Sequence, residues 1–192
     1  VTLSLCQDVQ AEAYDYPESF FAEKVWTPRR IMPDADEFAM AAAALKLAKK
    51  PVIIAGGGVL YSEASDSLKA FAEDHGIPVM ETQAGKSALP HEHELNMGSV
   101  GVTGTSAANA LAEEADVVLA VGTRLQDFTT GSWALFKHKD VKLIGLNVQV
   151  FDAAKHGGMP LVCDARVGLE ALDAALTGWQ VDSVWTAKAL SL

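Results

Sequence analysis

The sequence is short of cysteine, of positive charge and of long apolar runs, and each shortage excludes something. Its two cysteines, Cys6 and Cys163, have neither CxxC nor metal-ligand spacing. That usage fits free thiols in a reducing cytosol and excludes a disulfide framework. Fifteen Lys and Arg face 25 Asp and Glu, a net charge of −10, with no basic cluster beyond Arg29-Arg30 and Lys49-Lys50. Nucleic acid would be repelled by such a surface and is not expected as a partner. No apolar run approaches the roughly 20 residues of a membrane span, and the opening "VTLSLCQDVQ" lacks the basic start of a signal peptide. A cytoplasmic protein without a membrane partner is expected. Two familiar phosphate motifs are also incomplete. Gly85-Lys86-Ser87 ends like a P-loop, but the required first glycine is replaced by Met80, and Pro90 cuts short any following helix. Gly56-Gly57-Gly58 is not a dinucleotide fingerprint, because Tyr61 stands where the last glycine of GxGxxG belongs.

What is present falls into two parts. Residues 1–33 begin with "VTLSL", which alternates like a strand, as if continued from a longer chain. A stretch with three prolines (Pro17, Pro28, Pro33) and five aromatics follows, without sustained period. It reads as an extended linker draping apolar side chains over a neighbour. From Asp34 the pattern is regular. "DADEFAMAAAALKLAKK" is a helix capped by Asp34 or Asp36, apolar nearly all round, with Lys49-Lys50 at its last turn. "SEASDSLKAFAEDHG" is a helix with Ser62 as N-cap and Gly76 as stop. "TGTSAANALAEEA" is capped by Thr103 or Thr105, and "DARVGLEALDAALTG" runs from Asp164 to Gly178. Between them, "PVIIA", "IPVME", "DVVLAVG", "VKLIGLNV" and "PLVCD" are short buried strands. Alternating strands and helices predict an α/β, Rossmann-like three-layer doubly wound sheet of five or six parallel strands over residues 34–180, with 181–192 as a tail. Two connections, Thr82 to Val102 and Thr123 to Asp140, are longer than ordinary loops.

In such a sheet, ligands bind beyond the carboxyl ends of the strands. Those ends carry Gly56-Gly57-Gly58, Glu81-Thr82-Gln83, Gly122-Thr123-Arg124, Asn147 and Asp164. Glycines let a ligand approach backbone N–H groups, Arg124 can neutralise an anion, and Asp164 can accept from a ribose or ring nitrogen. Ordinary turn chemistry is the competing account of the same residues. In "LPHEHEL", His91 and His93 could share a metal on a strand, but no third and fourth ligand lies nearby, so a solvated loop is the better reading. Ser87, Ser132 and Cys163 are nucleophiles without a GxSxG elbow or a nearby base. "TTGSW" (129–133) either lines a pocket or caps a short helix through Ser132.

Several longer strings resemble the central domain of thiamine-diphosphate-dependent enzymes, the family of acetohydroxyacid synthase, pyruvate oxidase and benzoylformate decarboxylase. They are "VTLSLCQDV", "KKPVIIAGGG", "GIPVMETQAGKSALP", "GVTGTSAAN", "ADVVLAVGTRLQDF" and "PLVCDAR". One departure is Cys6, where relatives often carry proline. Within the family, "QDVQAEAYDYPESFF", "ETQAGKSALP" and "GTRLQDFTTGSW" look closest to a hydrolase that cleaves a carbon–carbon bond of a cyclic 1,2-dione in inositol catabolism. The resemblance implies that residues 1–33 end a preceding pyrimidine-binding domain. It also implies that thiamine diphosphate and magnesium sit on flanking domains of the same polypeptide. This chain has no Gly-Asp-Gly motif for them and is expected to be inert alone. The parent is expected to be a homo-oligomer. In relatives that hold FAD or ADP in this crevice, the contacts would fall on Gly56, Gly57, Gly58, Thr82, Gly101, Gly104, Gly122, Thr123, Arg124, Asn147 and Asp164. Many relatives leave the crevice empty, and flavin is not expected here. The alternatives are an independent nucleotide- or FAD-binding module of the same fold, and a free-standing hydrolase using Ser87 or Cys163.

Overall fold

The computed structural model describes residues 2–192. Six parallel strands form one sheet in the order β3-β2-β1-β4-β5-β6. They are β1 (Pro51–Ala55), β2 (Val79–Glu81), β3 (Asn96–Ser99), β4 (Val117–Val121), β5 (Lys142–Asn147) and β6 (Met159–Val162). The chain moves outward from β1 to β3, returns to the centre and moves outward the other way. Its switch point therefore lies between β1 and β4, which pair over their full length. The strands alternate strictly between two cores. Ile53, Ala55, Leu119 and Val121 join α2 (Ala35–Lys46), α4 (Ser65–His75) and α8 (Ala165–Ala175) on one face. Val52, Ile54, Val118 and Ala120 join α5 (Ser106–Glu114) and α9 (Ser183–Leu190) on the other. This is the expected three-layer arrangement.

Caps fix most boundaries. Asp34 accepts from the Asp36 and Glu37 N–H groups, Thr105 from Ala108, and Asp164 from Arg166 and Val167. Gly76 stops α4 in the left-handed conformation. Residues 2–6 pair with no described strand, and a short helix, α1 (Gln7–Ala11), follows them. Two local expectations fail. Ser62 does not cap α4: the glycine triplet opens a separate short helix, α3 (Gly57–Tyr61), and Ser62 ends it. Helix α2 stops at Lys46, before Lys49-Lys50, and buries only one side, leaving Met40 and Leu47 exposed. Residues 181–192 pack on the sheet through α9. Trp185 of α9 is buried and donates from its indole N–H to the Pro51 carbonyl, while Lys188 and Lys50 both pair with Glu114.

Both sheet edges are closed. On β3, the Thr105 hydroxyl donates to the Met97 carbonyl, and the Thr105 N–H to that of Ser99. On β6, the Glu37 carboxylate accepts from the Val162 N–H, and the Asp164 N–H donates to Ile31 of the N-terminal segment. Satisfying these ladder groups removes a template for edge-to-edge association.

Candidate functional site

The N–H of Gly56 donates to the Val121 carbonyl at 2.8 Å, and that of Gly58 to the Gly122 carbonyl at 2.9 Å. The start of α3 is thereby locked to the exit of β4. A Cβ on Gly58 would lie 2.5 Å from the Gly122 Cα, and one on Gly56 would lie 2.4 Å from the Gly122 carbonyl oxygen. These glycines are required by backbone contact with one another, whether or not anything binds. The same holds for the P-loop-like segment. Gly85 lies in a 3-10 turn, its N–H bonded to the Thr82 hydroxyl, and a Cβ there would stand 2.1 Å from the Ala55 carbonyl oxygen. Lys86 and Ser87 face solvent, and no helix follows them. The segment braces β2 against β1.

Above the switch point is an open crevice of about 320 Å³. Of the residues expected there, Gly57, Gly58, Thr82, Gly122, Thr123, Arg124 and Asn147 line it. Gly56 lies beneath, and Gly101 and Gly104 shape the loop behind, where the Gly104 N–H donates to the Gly101 carbonyl. Asp164 is elsewhere. It is buried, caps α8 and receives the Arg30 guanidinium at 2.9 Å, so it has no free oxygen to offer a ribose. Burial works to raise its pKa, but hydrogen bonds from Arg30, Ser62 and the Val167 N–H outweigh that and hold it below the usual carboxylate range. Arg30 also donates to the Ser62 carbonyl at 2.6 Å and to Glu63 at 3.2 Å. It thus pins the N-terminal segment to the end of α3.

Arg124 is exposed, donates one long hydrogen bond to Gln126 at 3.5 Å and has no ion-pair partner among the described residues, so its charge is open to an anion in the crevice. Asn147 donates to the Thr123 carbonyl and accepts from the Gln149 N–H, which ties the β4 and β5 exits together. The sequence reading missed Tyr61, Gln126, Phe128 and Asp152, which also line the crevice. Tyr61 carries no local signal, because the short helix α3 that places it opens on the glycine triplet. Phe128 sits on α6 (Asp127–Thr130), inside what looked like plain loop, and Asp152 on α7 (Val150–Ala153). The unusual length of the 123–140 connection hints at Gln126 and Phe128 but not at Tyr61 or Asp152.

The other candidates find structural roles. His93 lies 3.0 Å from Glu73 and His91 is exposed; no group of metal donors occurs among the described residues. The Ser132 hydroxyl donates to Asp127, and no base among the described residues is hydrogen-bonded to Ser87. Cys163 is fully buried, and burial, with the Asp164 and Glu37 charges, pushes its thiol up to about 12. Such a thiol is not a nucleophile near neutral pH. A colorimetric disulfide reagent at pH about 8 should therefore titrate exposed Cys6 promptly in the native protein and reach Cys163 only after denaturation. Prompt reaction of both would contradict this packing.

The profile of the family described as "Thiamine pyrophosphate enzyme, central domain" matches residues 38–172. This chain belongs to that family. It is 48% identical over 172 residues to the 3D-(3,5/4)-trihydroxycyclohexane-1,2-dione hydrolase of Clostridium tetani, covering 90% of this chain and 27% of that protein. The hydrolase of the same name from Geobacillus thermodenitrificans is 47% identical over 176 residues, 92% of this chain and 27% of that one. The chain thus spans about a quarter of the length of these relatives. A solved structure of a candidate thiamin diphosphate-dependent enzyme from Mycobacterium smegmatis superimposes with a TM-score of 0.66. The match covers 84% of this chain and 30% of that one at 24% identity, a likeness of fold.

Proposed function

We propose that this chain is the non-catalytic central domain of a thiamine-diphosphate-dependent hydrolase that opens a cyclic 1,2-dione by carbon–carbon cleavage in inositol catabolism. The observation that carries the reading is the near-half identity to dione hydrolases over nine-tenths of the chain. The residues here do not suit the cofactor itself. No Gly-Asp-Gly motif and no metal-donor cluster among the described residues is available for a magnesium diphosphate. Those sites belong to flanking domains of the same polypeptide, within a cytoplasmic homo-oligomer, and no chemical step is assigned to this chain.

Its part is to be a rigid middle layer. Glycines that resembled a phosphate cradle are occupied in packing β1 against β4, which favours a scaffold over a dedicated nucleotide module. The crevice still offers Arg124 and the Gly57, Thr82 and Thr123 surfaces, so a nucleotide-binding module is the second reading. Titration of the chain with FAD and with ADP separates the two. No saturable binding in the micromolar range is expected, and such binding by either ligand would favour the module. The full-length protein, supplied with thiamine diphosphate and magnesium, should open the cyclic dione, whereas the isolated chain should not. Turnover by the isolated chain would overturn the proposal.

A further inference from the structure

The loop after β4 has a second side. Gln126 and Phe128 line the crevice, while Leu125 and Asp127 line a separate hollow of about 460 Å³, together with Ser132, Trp133, Lys155 and His156. Six non-glycine residues among those described have positive φ, and four of them surround this hollow: Leu125 (43°), Ser132 (54°), Trp133 (68°) and His156 (61°). Side chains resist that conformation, and where it clusters it commonly holds groups in place for a ligand.

The groups so held are complementary to a definite chemistry. Lys155 has no ion-pair partner among the described residues. His156 Nε2 lies 3.0 Å from the Leu125 carbonyl, an acceptor only, so Nε2 carries a proton; in that tautomer Nδ1 is an acceptor, and it has no hydrogen bond among the described residues. Asp127 receives the Ser132 hydroxyl on one oxygen, at 3.2 Å, and has no hydrogen bond to the other among the described residues. Trp133 is braced by His156, with ring centres 4.2 Å apart, and by Phe136, at 5.3 Å, yet remains partly exposed. The hollow therefore combines a cation, two hydroxyl acceptors and a fixed aromatic surface. A neutral polyol would leave the cation unused, and a bare anion would leave the acceptors and the ring unused. We propose that this hollow binds a small polyhydroxylated carboxylate, with its charge on Lys155, its hydroxyls on Asp127 and His156, and its C–H face against Trp133. The inference stands on the hollow alone and is independent of the dione reading.

Nuclear magnetic resonance titration of the chain with D-glucuronate, acetate and myo-inositol at matched ionic strength tests it. Glucuronate should give saturable shifts of the Trp133 indole N–H and the Gly157 amide with a Kd of about 1 mM, as suits an open, shallow site. Acetate and myo-inositol should each bind about tenfold more weakly or worse. Lys155→Ala should weaken glucuronate about tenfold, and Asp127→Asn, which keeps the side-chain volume, by several-fold. Thermal melting of each variant confirms that it is folded. The proposal falls if glucuronate gives no saturation, if acetate or inositol matches it, or if Lys155→Ala leaves its affinity unchanged.

Discussion

Gly122→Ala should lower the unfolding free energy by about 3 kcal/mol or more, the larger of the two strongest effects expected here. Two costs combine at this residue. Its φ is +61°, in the left-handed region, which costs an L-residue about 1–2 kcal/mol. The added Cβ would also stand 2.5 Å from the Gly58 Cα, a backbone atom of an element that is itself locked by the hydrogen bond from the Gly58 N–H to the Gly122 carbonyl. Neither side can yield without disturbing the β1–β4 register, and overpacking of this kind costs about 1–3 kcal/mol. Gly157→Ala is the internal control. Its φ is +71°, but nothing lies within 4 Å of the new methyl, so it should show the conformational cost alone, about 1–2 kcal/mol. Urea unfolding of both variants measures the difference, with the midpoint falling and the slope unchanged. Equal losses in the two would mean that the close approach of β1 and β4 is not what requires glycine at the switch point.

The second large effect is expected at Asp164. Its carboxylate caps α8 and holds Arg30, which also holds the end of α3. Asp164→Ala should cost at least the ~1–2 kcal/mol of a lost N-cap. It should also free the N-terminal segment, so that trypsin cuts at Arg29 and Arg30 faster than in the parent chain. Arg30→Ala should free the same segment, seen as faster cleavage at Lys24 and Arg29, while keeping the cap on α8. The two losses of stability should fall short of additive in the double variant, since both remove one contact. The pH dependence carries a definite sign. Because the folded pKa of Asp164 lies below its unfolded value of about 3.9, its contribution is present above that pH and is lost as pH falls through the folded value. Glu114, lowered by its hydrogen bonds to Lys188 and Lys50, fades in the same acid range. The difference between parent and Asp164→Ala curves cancels that part. Stability curves that run parallel below pH about 4 would show that Asp164 is not the titrating group.

Much of this was legible from the chain alone, for physical reasons that can be named. The short apolar runs 51–55 and 117–121 are buried on both faces, so they could only be central parallel strands. Asp34 and Asp164 announced their helices because a carboxylate before an apolar stripe is what the orphan N–H groups of a first turn require. The strings shared with thiamine-dependent enzymes led to the family that the profile and the relatives show. β3 escaped because Asn96–Ser99 is neither apolar nor alternating; it is a strand only because β2 offers it a ladder. Helix α9 escaped because Trp185 and Ala189 acquire meaning only against Val52 and Ala115.

The sequence by itself determined the layer order of this protein, its polar strand ends and its kinship, because those rest on local periodicity and on residue types that neighbours cannot change. The tertiary structure alone decided what the polar ends are for. Gly56, Gly58 and Gly122 serve one another, Asp164 turns to Arg30, and Arg124 stays in the crevice with no ion pair among the described residues. A glycine or a carboxylate carries the same local signal whether it awaits a ligand or a second stretch of chain, and only the packed fold brings in the partner.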